Sequence, residues 1–475
     1  MNGSFTVVII STLVILSATF VLNILITKRS SRRAGGLSND DWDVGGRSLP
    51  LYVIVGTQFA TAMGGGILVG QVGNGYNNGW SVLLYGILGQ IPYFLLMFIA
   101  KWLREKEFTT IPEILEDFSG PSRTVRVLSA ILAAVVPLGW ICSNLNAFGK
   151  LYTQISGIPF NVLVIILCII SLFFVMPAGL KTVAWTDFIF SCLMIISAII
   201  TVVFVINMGG GTANVFANVP PEISTFPKSM FSVGWYTVLL WIFSIVPGGL
   251  TNQMYYQRIF ALKETKQVNQ SLFLTTVTSI TAYIWAILMG LSIRSVNSNL
   301  ADGEMATGWL FTKMPVWLLA LFSGLIVATI MSTISSAVQS IVVNLNRDIY
   351  KLYKPDTTEE KSLKISRLLS ALVLFVACCI SLFFPAVMKM LVATYSFSAA
   401  GLVCPIFLGY ALRKKKILNK YGIIAGMVVG IATCAASMTL NTKIPYAIWG
   451  IVPSGMALLV VSILTKNKTT NPQLK

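Results

Sequence analysis

The chain has 475 residues, of which 55% are hydrophobic and only 11% charged, whereas ordinary soluble domains carry about 25% charged residues. With a mean hydropathy of +0.79, that composition excludes a soluble globular domain and points to an all-α polytopic membrane protein. The net charge of +17 and the lack of histidine leave two questions, whether the basic residues bind nucleic acid and what chemistry remains without imidazole.

Apolar runs of about 20 residues, the length that crosses roughly 30 Å of hydrocarbon, recur about thirteen times. They lie near 5–27, 50–72, 80–103, 125–152, 159–177, 185–208, 231–253, 270–293, 315–343, 364–384, 388–411, 421–438 and 446–465. The first lacks the basic leading region of a cleaved signal and is followed by KRSSRR at 28–33, so it reads as a retained span that enters from outside. Counted loop by loop from there, 28 of the 34 Lys and Arg residues fall on the cytoplasmic side and the other 6 outside. That bias is the one expected of cytoplasmic loops. It predicts an external N-terminus, a cytoplasmic C-terminus and residence in the cell membrane, and it removes any need for a nucleic-acid partner.

The second span holds QFATAMGGGILVG, with Gly64, Gly65 and Gly66 in a row. Glycine costs about 1 kcal/mol against alanine inside a helix, and unpaired backbone in hydrocarbon costs several kcal/mol more. Such a break is tolerated where it lines a cavity, in which carbonyls meet a cation and half-helix N-termini face an anion. Gly64, Gly65 and Gly66, with Gln58, Trp140 and Asn144 at similar depth on this and a neighbouring span, are therefore candidate solute-binding residues. The glycines could instead serve only close helix packing.

The seventh span repeats the pattern as WIFSIVPGGLTNQ, in which Trp241, Ser244, Pro247, Gly248 and Gly249 are further candidate solute-binding residues. Spans two to six (49–208) and seven to eleven (231–411) then form two five-helix sets that start on opposite sides of the membrane. That is the arrangement of inverted-repeat transporters with two discontinuous helices. The first span and the last two (421–465) lie outside the repeats, and the whole chain, 1–475, reads as one membrane domain.

The ninth span contains ATIMSTISSAVQS, which puts Thr329, Ser332, Thr333, Ser336 and Gln339 three and four residues apart on one helical face. One or two such hydroxyls would merely bond back to the preceding turn. A whole stripe of them suits a small hard cation, which takes oxygen ligands, and a neutral site releases that cation in every cycle. The seven cysteines sit in or at the ends of spans without metal-ligand spacing, which reads as packing. Without histidine bases, catalysis is not expected.

Six segments, GGRSLP (45–50), GNGY (73–76), TIPEILEDF (110–118), AWTDFIF (184–190), NQMYYQR (252–258) and MSTISSAVQSIVVNLNRDIYK (331–351), resemble the solute:sodium symporter family in order and membrane side. The resemblance runs from about residue 45 to 411. It implies a LeuT-type fold of ten core helices with one helix before and two after. It also implies a sodium site on the carbonyls of Ala60, Met63 and Thr329 and the hydroxyls of Ser332 and Thr333. A second sodium site, used by some members, would fall on Asp187, Ser335 and Ser336, although Asp187 could equally be an interfacial cap.

The resemblance also bears on the solute. Polar positions that serve the sugar branch are Ala62, Ile67 and Gly86 here, and the proline branch's aspartate and aromatic fall on Ala62 and Gly66. Both branches are poor matches, and a site lacking fixed hydrogen-bond partners cannot discriminate hydroxyls. The expectation is a sodium-coupled importer of a small monocarboxylate or amino acid working by alternating access. Sodium is the coupling ion, there is no other cofactor, and no obligate protein partner is implied. The open alternatives are a neutral solute such as a nucleobase or urea-like molecule, and a proton-coupled or sodium-independent exchanger of the same fold.

Overall fold

The computed structural model describes residues 3–34, 38–175, 179–415 and 417–466. The basic tail beyond 466 and Lys416, assigned above to the cytoplasm, lie outside the described residues. Among those residues every regular element is a helix. Ten helices are long and apolar enough to cross a membrane, or eleven when the bent pair Leu51–Ala62 and Gly66–Asn78 counts as one span. Each of the thirteen apolar runs falls on helix, yet two do not qualify by length. Phe160–Val175 has only 16 residues, and the seventh run divides into Trp235–Gly249 and Gln253–Ala261.

The core forms around the ninth run. In the helix Val316–Val343 every residue from 322 onward is buried, so its polar stripe can face only other helices. It packs against Gly3–Ala34, Val135–Ser156 and Leu180–Met208. Leu51–Ala62 lies on Leu180–Met208, and Val387–Leu412 lies between Trp235–Gly249 and Val135–Ser156. The last two helices, Lys420–Thr439 and Tyr446–Leu464, pair closely through glycine. A β-carbon on Gly422 would come within 1.9 Å of Ser462 Oγ, the close approach that small residues permit in membranes.

The first break occurs where the glycines were expected. Leu51–Ala62 ends at Met63, a π-helical turn begins at Gly66, and the axis bends by 49°. The second break lies beyond its expected place. Helix continues through Pro247, Gly248 and Gly249 and stops at Leu250, and Asn252 then caps the next piece by accepting the Met254 N–H at 3.1 Å. Proline removes only one hydrogen bond from the helix it sits in, whereas an Asn cap starts a new one.

Ties at both faces hold the spans. On the side assigned to the cytoplasm, Leu49 donates to the Ala261 carbonyl at 3.1 Å and accepts from Lys263 N–H at 2.9 Å, which joins the outer ends of the two broken helices. Two of the recognised segments meet there, because Arg347 Nε lies 2.6 Å from Glu113 Oε1, and Arg126 Nε lies 3.0 Å from Asp348 Oδ1. On the opposite side Lys150 Nζ pairs with Asp302 at 2.7 Å and Glu304 at 2.6 Å. Glu304 in turn accepts the N–H groups of Val387 and Met388, which open the Val387–Leu412 helix.

Candidate functional site

The break in the second span frees backbone on both sides. Met63 N–H still reaches Phe59 O at 3.0 Å, while the N–H groups of Ile67 and Leu68 both turn to Gly64 O at 3.0 and 3.1 Å. Among the described residues no N–H then bonds to the carbonyl of Ala60 or Met63, and no acceptor pairs with the N–H of Gly64 or Gly66. The break therefore offers free acceptors at its first half-helix and free donors at its second.

The Val316–Val343 helix approaches this opening with Thr333. Its hydroxyl lies 3.1 Å from both the Thr61 and the Thr329 carbonyls, and a β-carbon at Gly64 would stand 2.6 Å from Thr333 Oγ1. Gly64 is thus required by the approach of that hydroxyl. Ser332, one residue before it and about 100° around the helix, donates instead to Asp187 Oδ1. The five expected residues of the first sodium site hence divide. Thr333 borders the central cavity and its hydroxyl meets the Thr329 carbonyl, the freed Ala60 and Met63 carbonyls end the first half-helix, Met63 and Thr329 also line a separate small cavity, and Ser332 lines the pocket beside Asp187.

Asp187 is fully buried. Its Oδ2 accepts from Thr57 at 2.6 Å and from Ser336 at 3.2 Å. Ser336 is also held by the buried Arg258, whose Nη2 lies 2.7 Å away. Asp187 is therefore not a helix cap, and it gathers three hydroxyls from two spans. Ser335 faces a separate small cavity beside Asp187.

A central cavity opens at the break, with about 50 Å³ of room for the centre of a water-sized sphere. One water needs roughly 10–15 Å³ on that measure, so the space takes a solute of only a few heavy atoms. Of the expected solute residues, Gly64, Gly66, Trp140, Asn144 and Gly249 line it. Asn144 is engaged at both ends, accepting Gly65 N–H at 2.8 Å and donating to Trp140 O at 2.8 Å. Gly65 does not line the cavity, and a β-carbon there would lie 2.4 Å from Ala147 Cβ, which makes it a packing residue.

The other expected solute residues lie elsewhere. Gln58 takes the Thr275 hydroxyl, and Ser244 takes that of Ser396 at 2.7 Å. Trp241 packs edge-on against Tyr85 and borders an outer cavity. Gly248 gives way to Tyr395, whose carbonyl a β-carbon would meet at 2.6 Å, and Pro247 is absent from the central lining.

Sequence reasoning missed most of the cavity wall. Tyr85, Tyr93, Tyr255, Tyr283 and Tyr395 surround it, and Gln90 Oε1, Ser143 Oγ and Ser279 Oγ face it without a hydrogen-bond partner. Every lining residue is neutral. Tyr255 lies within the NQMYYQR segment and could have been found there. Gly86, a polar position in sugar carriers by the resemblance, is filled by the Tyr283 ring, with a β-carbon meeting its Cγ at 2.6 Å.

Comparison with known proteins identifies the family and the fold. The model of the sodium:solute symporter family matches residues 42–430. A sodium/glucose cotransporter of Vibrio parahaemolyticus is 26% identical over 440 residues, covering 83% of this chain and 78% of that one. The high-affinity proline transporter PutP of Bacillus subtilis is 26% identical over 450 residues, covering 90% and 93%. A solved Na+-coupled sialic acid symporter in a substrate-bound, outward-open state superposes with a TM-score of 0.82 at 17% identity, covering 97% of both chains. A nucleobase-cation-symport-1 family transporter in a closed conformation gives 0.62 at 13% identity, over 92% of this chain and 97% of that one.

Proposed function

The chain belongs to the sodium:solute symporter family, a family of membrane transporters rather than enzymes, and from that premise we propose that it imports a small monocarboxylate or amino acid with sodium. The observation that carries this reading is that Gly64 and Gly66, with their free N–H groups, and the Thr333 hydroxyl border one cavity at the break, while the half-helix before it ends in the free carbonyls of Ala60 and Met63. A carboxylate set against the N–H groups of Gly64 and Gly66 would lie close to a sodium ion held by the carbonyls of Ala60, Met63 and Thr329 with Ser332 and Thr333. Each would neutralise the other in a cavity whose walls carry no charge.

That arrangement couples the two without a charged side chain. The N-terminus of the second half-helix carries partial positive charge, which favours the anionic end of the solute. The unpartnered Gln90, Ser143 and Ser279 groups select solutes with polar atoms at matching places, because leaving buried polar groups unpaired costs about 1–3 kcal/mol each. Alternating access would then move the repeats 49–208 and 231–411 around this site. The second sodium site of Asp187, Ser335 and Ser336 belongs to the same reading. So does the orientation, with the N-terminus outside and the C-terminus cytoplasmic.

Uptake into proteoliposomes tests the reading, using a panel of monocarboxylates, amino acids, nucleobases and urea-like solutes with and without an inward sodium gradient. Sodium-stimulated accumulation of a monocarboxylate or amino acid is expected. Accumulation driven equally well by a proton gradient, or confined to neutral heterocycles, would overturn it.

A further inference from the structure

Beside Asp187 lies a second, very small cavity of about 10 Å³, the space of one water or one desolvated ion. Its polar lining comes from three helices. Asp187 and Thr186 belong to Leu180–Met208, Ser332 and Ser335 to Val316–Val343, and Thr19 and Asn23 to Gly3–Ala34. The last pair is unexpected, because the first helix lies outside both repeats. Thr19 and Asn23 are four residues apart and so share one face, and both are about 5% exposed.

The hydrogen-bond state of these groups decides what the pocket accepts. Thr19 gives its proton to Ile15 O at 2.7 Å, Thr186 gives its own to Val183 O at 2.9 Å, and Ser332 gives its own to Asp187. A hydroxyl whose proton is engaged can offer only lone pairs. Asn23 Oδ1 is buried and has no partner. The pocket thus gathers a carboxylate, an unpartnered amide oxygen and the lone pairs of the Thr19, Thr186 and Ser332 hydroxyls. That set repels an anion and suits a hard cation, which takes oxygen ligands.

We propose that the Gly3–Ala34 helix completes a sodium site in this pocket, with Asn23 Oδ1 supplied as a ligand from outside the ten-helix core. The proposal rests on the second-site reading of Asp187 and Ser335 given above and adds to it the first helix. It makes that helix part of the ion-binding machinery, and the pocket's size favours sodium over larger monovalent cations.

Equilibrium binding of radioactive sodium to the purified full-length chain tests the proposal, together with the sodium-induced shift in melting temperature. Asn23→Leu keeps the size and removes the oxygen, and it is expected to weaken one class of bound sodium by about tenfold or more. The other class and the melting temperature without sodium should stay unchanged. Asn23→Asp, which restores an oxygen and adds charge, should bind at least as tightly as the wild type. Should Asn23→Leu also lower the sodium-free melting temperature, Thr19→Val must reproduce the selective loss, and its failure to do so overturns the proposal. Sodium binding by Asn23→Leu equal to the wild type overturns it as well. Absence of any sodium binding by the wild type would instead bring down the symport reading itself.

Discussion

Gly65 donates its backbone N–H to Asn144 Oδ1 at 2.8 Å, so the middle glycine of the triplet is clamped to a neighbouring span while its two neighbours face the cavity. The three glycines therefore do different work, and substitution separates them. Gly65→Val drives a side chain into Ala147, and it should reduce folded protein with residual uptake scaling with abundance. Gly64→Ala displaces the Thr333 hydroxyl and should raise the sodium concentration for half-maximal uptake at near-normal abundance. Asn144→Leu strands the Gly65 N–H, at a cost of about 1–3 kcal/mol. Size-exclusion yield, melting temperature and sodium titration of uptake distinguish the three, and identical profiles for Gly64→Ala and Gly65→Val would refute the separation.

Ser332 and Thr333 should each matter to sodium, through different surroundings. Thr333→Ala removes a hydroxyl at the break and Ser332→Ala one that also reaches Asp187. Both should raise the half-saturating sodium concentration by about tenfold, without comparable loss of abundance. Unaltered sodium dependence in the double variant would refute the assignment of the first site.

Asp43, in the short helix Asn39–Val44 that precedes the second span, predicts a pH effect. Burial lifts its carboxyl from the ordinary 3.8 to about 7, against the opposing pull of Arg347 and Lys351. The folded chain then keeps a proton that the unfolded chain releases, so the stability this group contributes is full below about pH 4 and is lost as pH rises through about 7. The melting temperature of the wild type relative to Asp43→Asn should fall across that window. A constant difference from pH 4 to pH 7 would contradict the assignment.

Orientation is testable by labelling. Asn77, Asn441 and Lys415 are exposed. In a background without native cysteine, cysteines at Asn77 and Asn441 should react with an impermeant thiol reagent added outside, and one at Lys415 should react only after permeabilisation. The opposite pattern would invert the topology.

The helices and the first break were readable from the chain because both depend on local properties, apolar length and a run of glycine. The polar face of the ninth span was readable as well, since its period of three and four is visible without a partner. What escaped was set by partners distant in sequence. The tyrosine wall comes from four separate spans, and nothing in the spacing of Tyr85, Tyr283 and Tyr395 announces that they meet. Gly65 looked like its neighbours until Ala147 and Asn144 were placed against it. The second break lies past the proline, because Pro247 costs the helix only one hydrogen bond whereas the Asn252 cap starts a new helix. Asn23 went unremarked because a single amide in an apolar helix has no signature until the cavity it faces is known.

The short parallel bridge at Leu49 has a mechanical consequence. Leu49 leads into the first interrupted helix and Ala261 ends the second, so the two hydrogen bonds between Leu49 and the 261–263 segment fasten both at the same end. Neither helix can swing away from the other there without breaking both bonds. At that face the two interrupted helices are therefore tied into one mechanical unit, and both pieces pack against Val316–Val343.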